Sequence, residues 1–184
     1  MHQHDFELPN GKAIRLVHSV HLGGSVGNYV NGIRRGWIRE DSDAGREFRR
    51  LQPQMCDDIV EGMTELGLQF DAILRVPSSR GDNLALYGAC LANWPDAEDL
   101  SGRLSRAGRV KAADAGTVAD MVAELIYAPG GNESEIRSLL IVDESSSTGK
   151  TAAAVLDILQ ANGVPAYVEV TLAVFVVMKK STDF

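Results

Sequence analysis

The sequence predicts an α/β fold: a single domain whose central, mainly parallel sheet is flanked by helices. Three observations predict it. Ala72-Ile73-Leu74-Arg75-Val76, Leu139-Leu140-Ile141-Val142 and Tyr167 to Met178 are short, nearly continuous apolar runs, the pattern of strands buried on both faces. Segments with apolar residues three or four apart alternate with those runs, as helices covering a sheet should. The first two runs each end in a compact polar turn and pass straight into a helical pattern, so a strand–loop–helix unit occurs twice.

The bulk properties fit that fold and exclude several functions. A chain of 184 residues, 45% hydrophobic and 23% charged, suits one globular domain. Its longest apolar run, Val168 to Met178, falls short of the roughly 20 residues of a membrane helix. A net charge of −7 opposes general nucleic-acid binding, although a local basic cluster could still hold a small anion. Met1-His2-Gln3-His4-Asp5 has neither the basic nor the apolar region of a secretory signal. Cys56 and Cys90 lack metal-like spacing and read as buried free thiols, so a cytoplasmic setting is expected.

Taken in order, residues 1–10 read as a frayed tail, in which His2 and His4 form a chance H-x-H pair. Asn10-Gly11 signals a turn, and Ala13 to Leu22 a strand on which His18 and His21 would face opposite sides. Gly23 to Asn28 is a connector, and Tyr29 to Glu40 shows no clear period. Gly45 to Leu66 is helical through Phe48, Leu51, Met55, Ile59, Met63 and Leu66; Pro53 implies a start or a kink there, and Gly67 an end. Pro77-Ser78-Ser79-Arg80-Gly81-Asp82-Asn83 is the first polar turn, and Leu84 to Asn93 its helix. Residues 94–116 read as a long flexible loop, whose stretch Ser101 to Lys111 holds four basic residues (Arg103, Arg106, Arg109, Lys111) and no acid. Thr117 to Tyr127 reads as one amphipathic helix through Val118, Met121, Val122, Leu125 and Ile126, and Thr151 to Ala161 as another.

The chemistry concentrates in Val142-Asp143-Glu144-Ser145-Ser146-Ser147-Thr148-Gly149-Lys150-Thr151. Gly149-Lys150-Thr151 matches the end of a nucleoside-triphosphate loop, G-x-x-x-x-G-K-[ST], but the first glycine would fall at Glu144. A carboxylate about 4 Å from a phosphate costs on the order of 4 kcal/mol at an intermediate effective dielectric. The acidic pair instead suits ribose hydroxyls, with the hydroxyl-rich loop and helix start behind it suiting a monophosphate.

This motif resembles the phosphoribosyl-pyrophosphate (PRPP) loop of type I phosphoribosyltransferases: an apolar strand, an acidic pair, three small residues, then Thr-Gly-x-Thr. The resemblance spans about residues 70–177 and leaves 1–45 outside. It implies a phosphoribosyltransferase-like fold with a small N-terminal hood in residues 1–45, where Tyr29, Trp37, His18 or His21 could meet a base. It implies an enzyme that transfers ribose-5-phosphate from PRPP to a nucleobase or other nitrogen nucleophile, with release of pyrophosphate and with Mg²⁺ as cofactor. Asp143 and Glu144 would hold the ribose hydroxyls and, through the substrate, the metal. Ser145, Ser146, Ser147, Thr148, Gly149, Lys150 and Thr151 would hold the 5′-phosphate. Ser78, Ser79, Arg80 and Gly81 would hold pyrophosphate, and Arg109 and Lys111, ahead of Arg106, would close over it. The expected partners are small molecules, not nucleic acid or membrane, and the family is compatible with a homodimer. A non-catalytic PRPP or nucleotide sensor is the alternative; a nucleotide kinase or NTPase is the third reading.

Overall fold

The computed structural model describes residues 1–19, 41–78, 83–107, 116–146 and 148–177. Its centre is a six-stranded sheet in the order β1-β2-β8-β7-β3-β4. The strands are β1 (His2–Glu7), β2 (Ala13–His18), β3 (Ala72–Arg75), β4 (Glu98–Asp99), β7 (Ser138–Ser146) and β8 (Glu169–Val177). Only the β1–β2 pairing is antiparallel. A separate antiparallel pair joins β5 (Leu104–Arg106) to β6 (Leu125–Tyr127).

Among the described residues four helices complete the layers: α1 (Asp43–Glu65), α2 (Leu84–Asn93), α3 (Val118–Ala123) and α4 (Lys150–Ala161). Alternation along β7 divides the core. Leu139 and Ile141 join Ala152, Val155, Leu156 and Leu159 of α4. Leu140 and Val142 join Phe48, Met55 and Ile59 of α1 and Leu86 and Cys90 of α2. Leu139 to Val142 are therefore apolar at every position because both faces are covered there, as the sequence pattern requires. Each such Leu or Ile contributes roughly 1.5–3 kcal/mol of burial.

Several elements depart from their sequence reading. The expected frayed tail is strand β1, in register with β2 from His2 opposite His18 to Glu7 opposite Ala13. Its polar residues concealed it, since an edge strand with most of its side chains exposed carries little apolar signal. Leu8 beyond it is 2% exposed, and Gly11 (φ 80°) turns the chain back as Asn10-Gly11 foretold. Helix α1 neither starts nor stops at Pro53, whose missing N–H falls on the exposed face of the helix. Gly67 (φ 68°) ends it as expected: the Gly67 amide donates to Thr64 and the Leu68 amide to Met63.

The expected helix Thr117 to Tyr127 stops at Ala123, and Leu125–Tyr127 forms β6. Leu125 and Tyr127 are buried while Ile126 is 53% exposed, which is strand alternation. A short apolar run satisfies either period, and pairing with β5 decided it. The same pairing orders much of the expected flexible loop, since β4, a 3₁₀ turn at Ser101–Arg103 and β5 occupy 98–106. Of residues 1–45, 2–7 and 13–18 belong to the main sheet; Tyr29, Trp37 and His21 lie outside the described residues. Cys56 and Cys90 are buried free thiols in the α1–α2 core. No helix among the described residues is long and apolar enough to cross a membrane.

Candidate functional site at the β3–β7 switch point

β3 continues through α2 to β4, toward one edge of the sheet, whereas its neighbour β7 continues through α4 to β8, toward the other. The two connections leave on opposite faces, with α2 in one core and α4 in the other. Such a reversal opens a crevice beyond the carboxyl ends of the two strands, where ligands of parallel α/β sheets bind. The last bond between them runs from the Val76 amide to the Val142 carbonyl (2.9 Å). Past it the chains part, Pro77 and Ser78 on one side and Asp143 onward on the other.

β7 does not end at the acidic pair, as expected, but continues beside β8 to Ser146, which pairs with Val177. Consecutive strand residues face opposite ways, so Asp143 and Glu144 straddle the sheet. Asp143 shares a row with Val174 and, one strand further, His18, on the α4 side. His18 thus sits two strand spacings, roughly 10 Å, from Asp143. Glu144 faces the α2 side, where Ser78 Oγ donates to Glu144 Oε2 (3.2 Å). The Glu144 amide donates to Asp143 Oδ1 (2.8 Å). Both carboxylates are half-buried, while Ser145 and Ser146 are buried.

Thr148 and Gly149 lead into α4, with Gly149 left-handed at φ 70°. A Cβ there would lie 2.5 Å from Phe6 Cε1 and 2.8 Å from Leu8 Cδ2, so β1 and its turn wall the phosphate-type loop from behind. Lys150 Nζ donates to the Gly116 carbonyl (2.7 Å), away from that loop. Thr151 is half-buried in the first turn of α4. Arg106, ranked last of the three basic candidates, reaches the crevice: its Nε donates to the Pro77 carbonyl (3.0 Å). Ser79, Arg80, Gly81, Arg109, Lys111 and Ser147 lie outside the described residues.

Helix starts differ sharply with position. At α1 the Ser42 side chain accepts from the Gly45 amide (3.2 Å). At α3, Thr117 and Asp120 form a reciprocal capping box. At α2 and α4, which begin at the crevice, neither Asn83 nor Gly149 makes a side-chain cap. Their first-turn N–H groups therefore keep a positive end with no side-chain acceptor from the cap residue, which suits an anion.

Asn83, Arg75 and Asp99 were not legible as parts of the site, whereas His18 was. Asn83 is fully buried, and its Nδ2 donates to the Val76 carbonyl (2.9 Å), across the base of the first turn. Arg75 lies 5.8 Å over the Tyr87 ring and reaches Asn83 Oδ1 through Nη1 (3.4 Å). Asp99 beside them is held below the usual carboxylate range: burial opposes ionisation, but the nearby Tyr87 hydroxyl, the Ser101 amide (2.8 Å) and the charge of Arg75 outweigh it. His18, 7% exposed, has its pKa lowered to about 4, first by burial; the Ser19 carbonyl at Nδ1 (3.2 Å) works the other way, and His2 and His4 add to the lowering. It is neutral at pH 7. An Asn before a helix reads as a cap from sequence, so its second use leaves no local signal.

Compared with models of known protein families and with curated proteins, the chain matches none. Inference about its chemistry therefore rests on this geometry.

Proposed function

We propose that the chain is a phosphoribosyltransferase of the type I kind, binding PRPP across the β3–β7 crevice. The observation that carries this is the pairing of two uncapped helix starts, one on each side of an acidic strand end at a switch point. PRPP carries two anionic groups separated by a ribose, and the crevice offers two positive ends separated by carboxylates. The 5′-phosphate would take Ser145 to Thr151 and the start of α4. Pyrophosphate would take Ser78, the start of α2 and Arg106, whose guanidinium is already anchored at Pro77. Asp143 would accept from ribose hydroxyls on the α4 side, and Glu144, beside Ser78, would meet the junction between ribose and leaving group.

In the transfer, the bond from the anomeric carbon to pyrophosphate oxygen breaks and the electron pair leaves with pyrophosphate. A nitrogen nucleophile forms the new bond and loses its proton to solvent. Positive charge builds on the ribose between the two events, and the carboxylates stabilise it while donors on the α2 side neutralise the leaving group. Among the described residues no group of three or more His, Cys, Asp or Glu is arranged to hold a metal. A cation such as Mg²⁺ would be held chiefly by the substrate's own oxygens, with Asp143 or Glu144 supplementing them. When bound, Mg²⁺ supplies charge neutralisation for the leaving pyrophosphate.

A non-catalytic PRPP or nucleotide sensor is the second reading, favoured by the alternation that sends Asp143 and Glu144 to opposite faces. Pyrophosphate release from PRPP over a panel of nucleobases and amines separates the two. Turnover with one acceptor supports the enzyme; PRPP binding without turnover on any acceptor supports the sensor. ATP affinity far above PRPP affinity would sink both.

A further inference from the structure

We infer that Asn83 is a positioning residue for the leaving-group side of the site, an inference that rests on the reading above. Asparagine before a helix normally caps it, a contribution of about 1 kcal/mol. Asn83 occupies that place, its carbonyl accepting the Tyr87 amide (3.0 Å), yet its side chain caps nothing. It turns inward, fully buried, and its Nδ2 donates to the Val76 carbonyl (2.9 Å). One side chain thereby ties the last residue before the turn to the cap position of its helix. The amide orientation follows from the partners: Oδ1 accepts from Arg75 Nη1, so the NH₂ must face Val76.

Two consequences follow for a bound anion. The clamp fixes where the chain leaves β3, and with it Ser78, whose hydroxyl meets Glu144. It also removes the side-chain oxygen that would otherwise occupy the first-turn N–H groups of α2. A capping Asn would compete with an anion for those donors; a clamping Asn leaves them available. The stability forgone at the cap is thus exchanged for an anion-ready turn. Ribose and 5′-phosphate, held from β7 and α4, do not depend on the clamp.

Asn83→Ser and Asn83→Asp test this, because both replacements are good caps, the Ser hydroxyl is one bond short of the reach of the Asn amide, and an ionised Asp has no hydrogen to donate to the Val76 carbonyl. Isothermal titration with pyrophosphate and, separately, ribose 5-phosphate, each with Mg²⁺, reads the two halves of the site. The expected result is a pyrophosphate affinity at least about tenfold weaker in both variants, with ribose 5-phosphate affinity within about twofold and a melting temperature within about 5 °C of wild type. Unchanged pyrophosphate affinity in both variants overturns the positioning role. Loss of both ligands together with a fall in melting temperature also overturns it, making Asn83 a fold residue only. If wild-type protein binds neither ligand, the phosphoribosyl reading itself fails, and that outcome is distinct because it appears before any substitution.

Discussion

The two ends of the central sheet handle charge in opposite ways. At the amino end Glu133, only 3% exposed, accepts from Tyr127 Oη (3.0 Å), Arg103 Nη1 (3.1 Å) and the amides of Gly130 (2.5 Å) and Gly131 (2.8 Å). Arg103 also pairs with Glu98 and Asn132, and it lies so close to Gly130 that a Cβ there would collide with the guanidinium. Asp71 likewise accepts from the Arg137 (2.7 Å) and Ser138 (2.9 Å) amides where β7 begins. At the carboxyl end Asp143 and Glu144 stay half-buried, and two helices start without caps. A buried charge met on every side by protein donors serves the fold. At the other end the charge stays partly open to solvent between two helix starts, the arrangement that the proposed PRPP site uses. Arg103 and Arg106 make the same contrast three residues apart: one is locked into the fold, the other reaches the crevice.

Breaking the contrast at the carboxyl end should give the largest effect. Asp143→Asn and Glu144→Gln should each lower pyrophosphate release by about 10²–10³-fold, with a melting temperature near wild type. Steady-state kinetics beside thermal melts would show it, and a stability loss matching the activity loss would place these acids in the fold instead. At the amino end the expectation inverts. Glu133→Gln should cost about 3 kcal/mol of stability in a urea titration, because it removes the buried charge that Arg103, Tyr127 and the Gly130 and Gly131 amides are arranged to meet, while the ratio of PRPP to product affinity stays unchanged.

Acid should expose the same difference. The Glu133 pKa is lowered from 4.5 to about 2: burial opposes ionisation, and the bonds from Gly130, Gly131 and Tyr127 overcome it. Its stabilisation is complete above pH 4.5 and is lost as pH falls toward 2. His18, lowered from 6.5 to about 4, acts earlier: below pH 6.5 the unfolded chain takes up the proton first, so stability falls between about pH 6.5 and 4. Thermal melts from pH 7 to 3 should show both losses, and His18→Leu should flatten only the upper window.

Smaller effects should follow at the supports. Gly149→Ala imposes a side chain on a left-handed residue and drives it into Phe6 and Leu8, so a loss of about 1–3 kcal/mol and weaker 5′-phosphate binding are expected together. Thr117→Ala removes the α3 capping box and should cost about 1 kcal/mol of stability, read in a urea titration.

The sequence made the parallel core readable because strands buried on both faces have no polar positions to confuse them, as Leu139 to Val142 show. It also exposed the acidic pair and the glycine before α4, whose spacing is local. What it concealed was tertiary. β1 looked like a tail because its neighbours, not its composition, make it a strand. Leu125–Tyr127 carried a helical stripe and became β6 only by meeting β5. Asn83 bonds to Val76 and Arg106 to Pro77, partners that lie at a distance along the chain, so no spacing rule points to Asn83, and Arg106 was legible only as one basic residue of a loop. The divergence of Asp143 and Glu144 followed from β8 extending β7 to Ser146, which strand length alone could not announce.

The most direct measurement is a titration of the protein with PRPP in the presence of Mg²⁺, followed by calorimetry, for wild type and for Asp143→Asn. The proposed site predicts saturable one-site binding by wild type, weakened at least about tenfold in the variant, with both proteins equally folded. Wild type that takes up no PRPP, or a variant that binds it as well as wild type, would contradict a ribose-5-phosphate site at the end of β7.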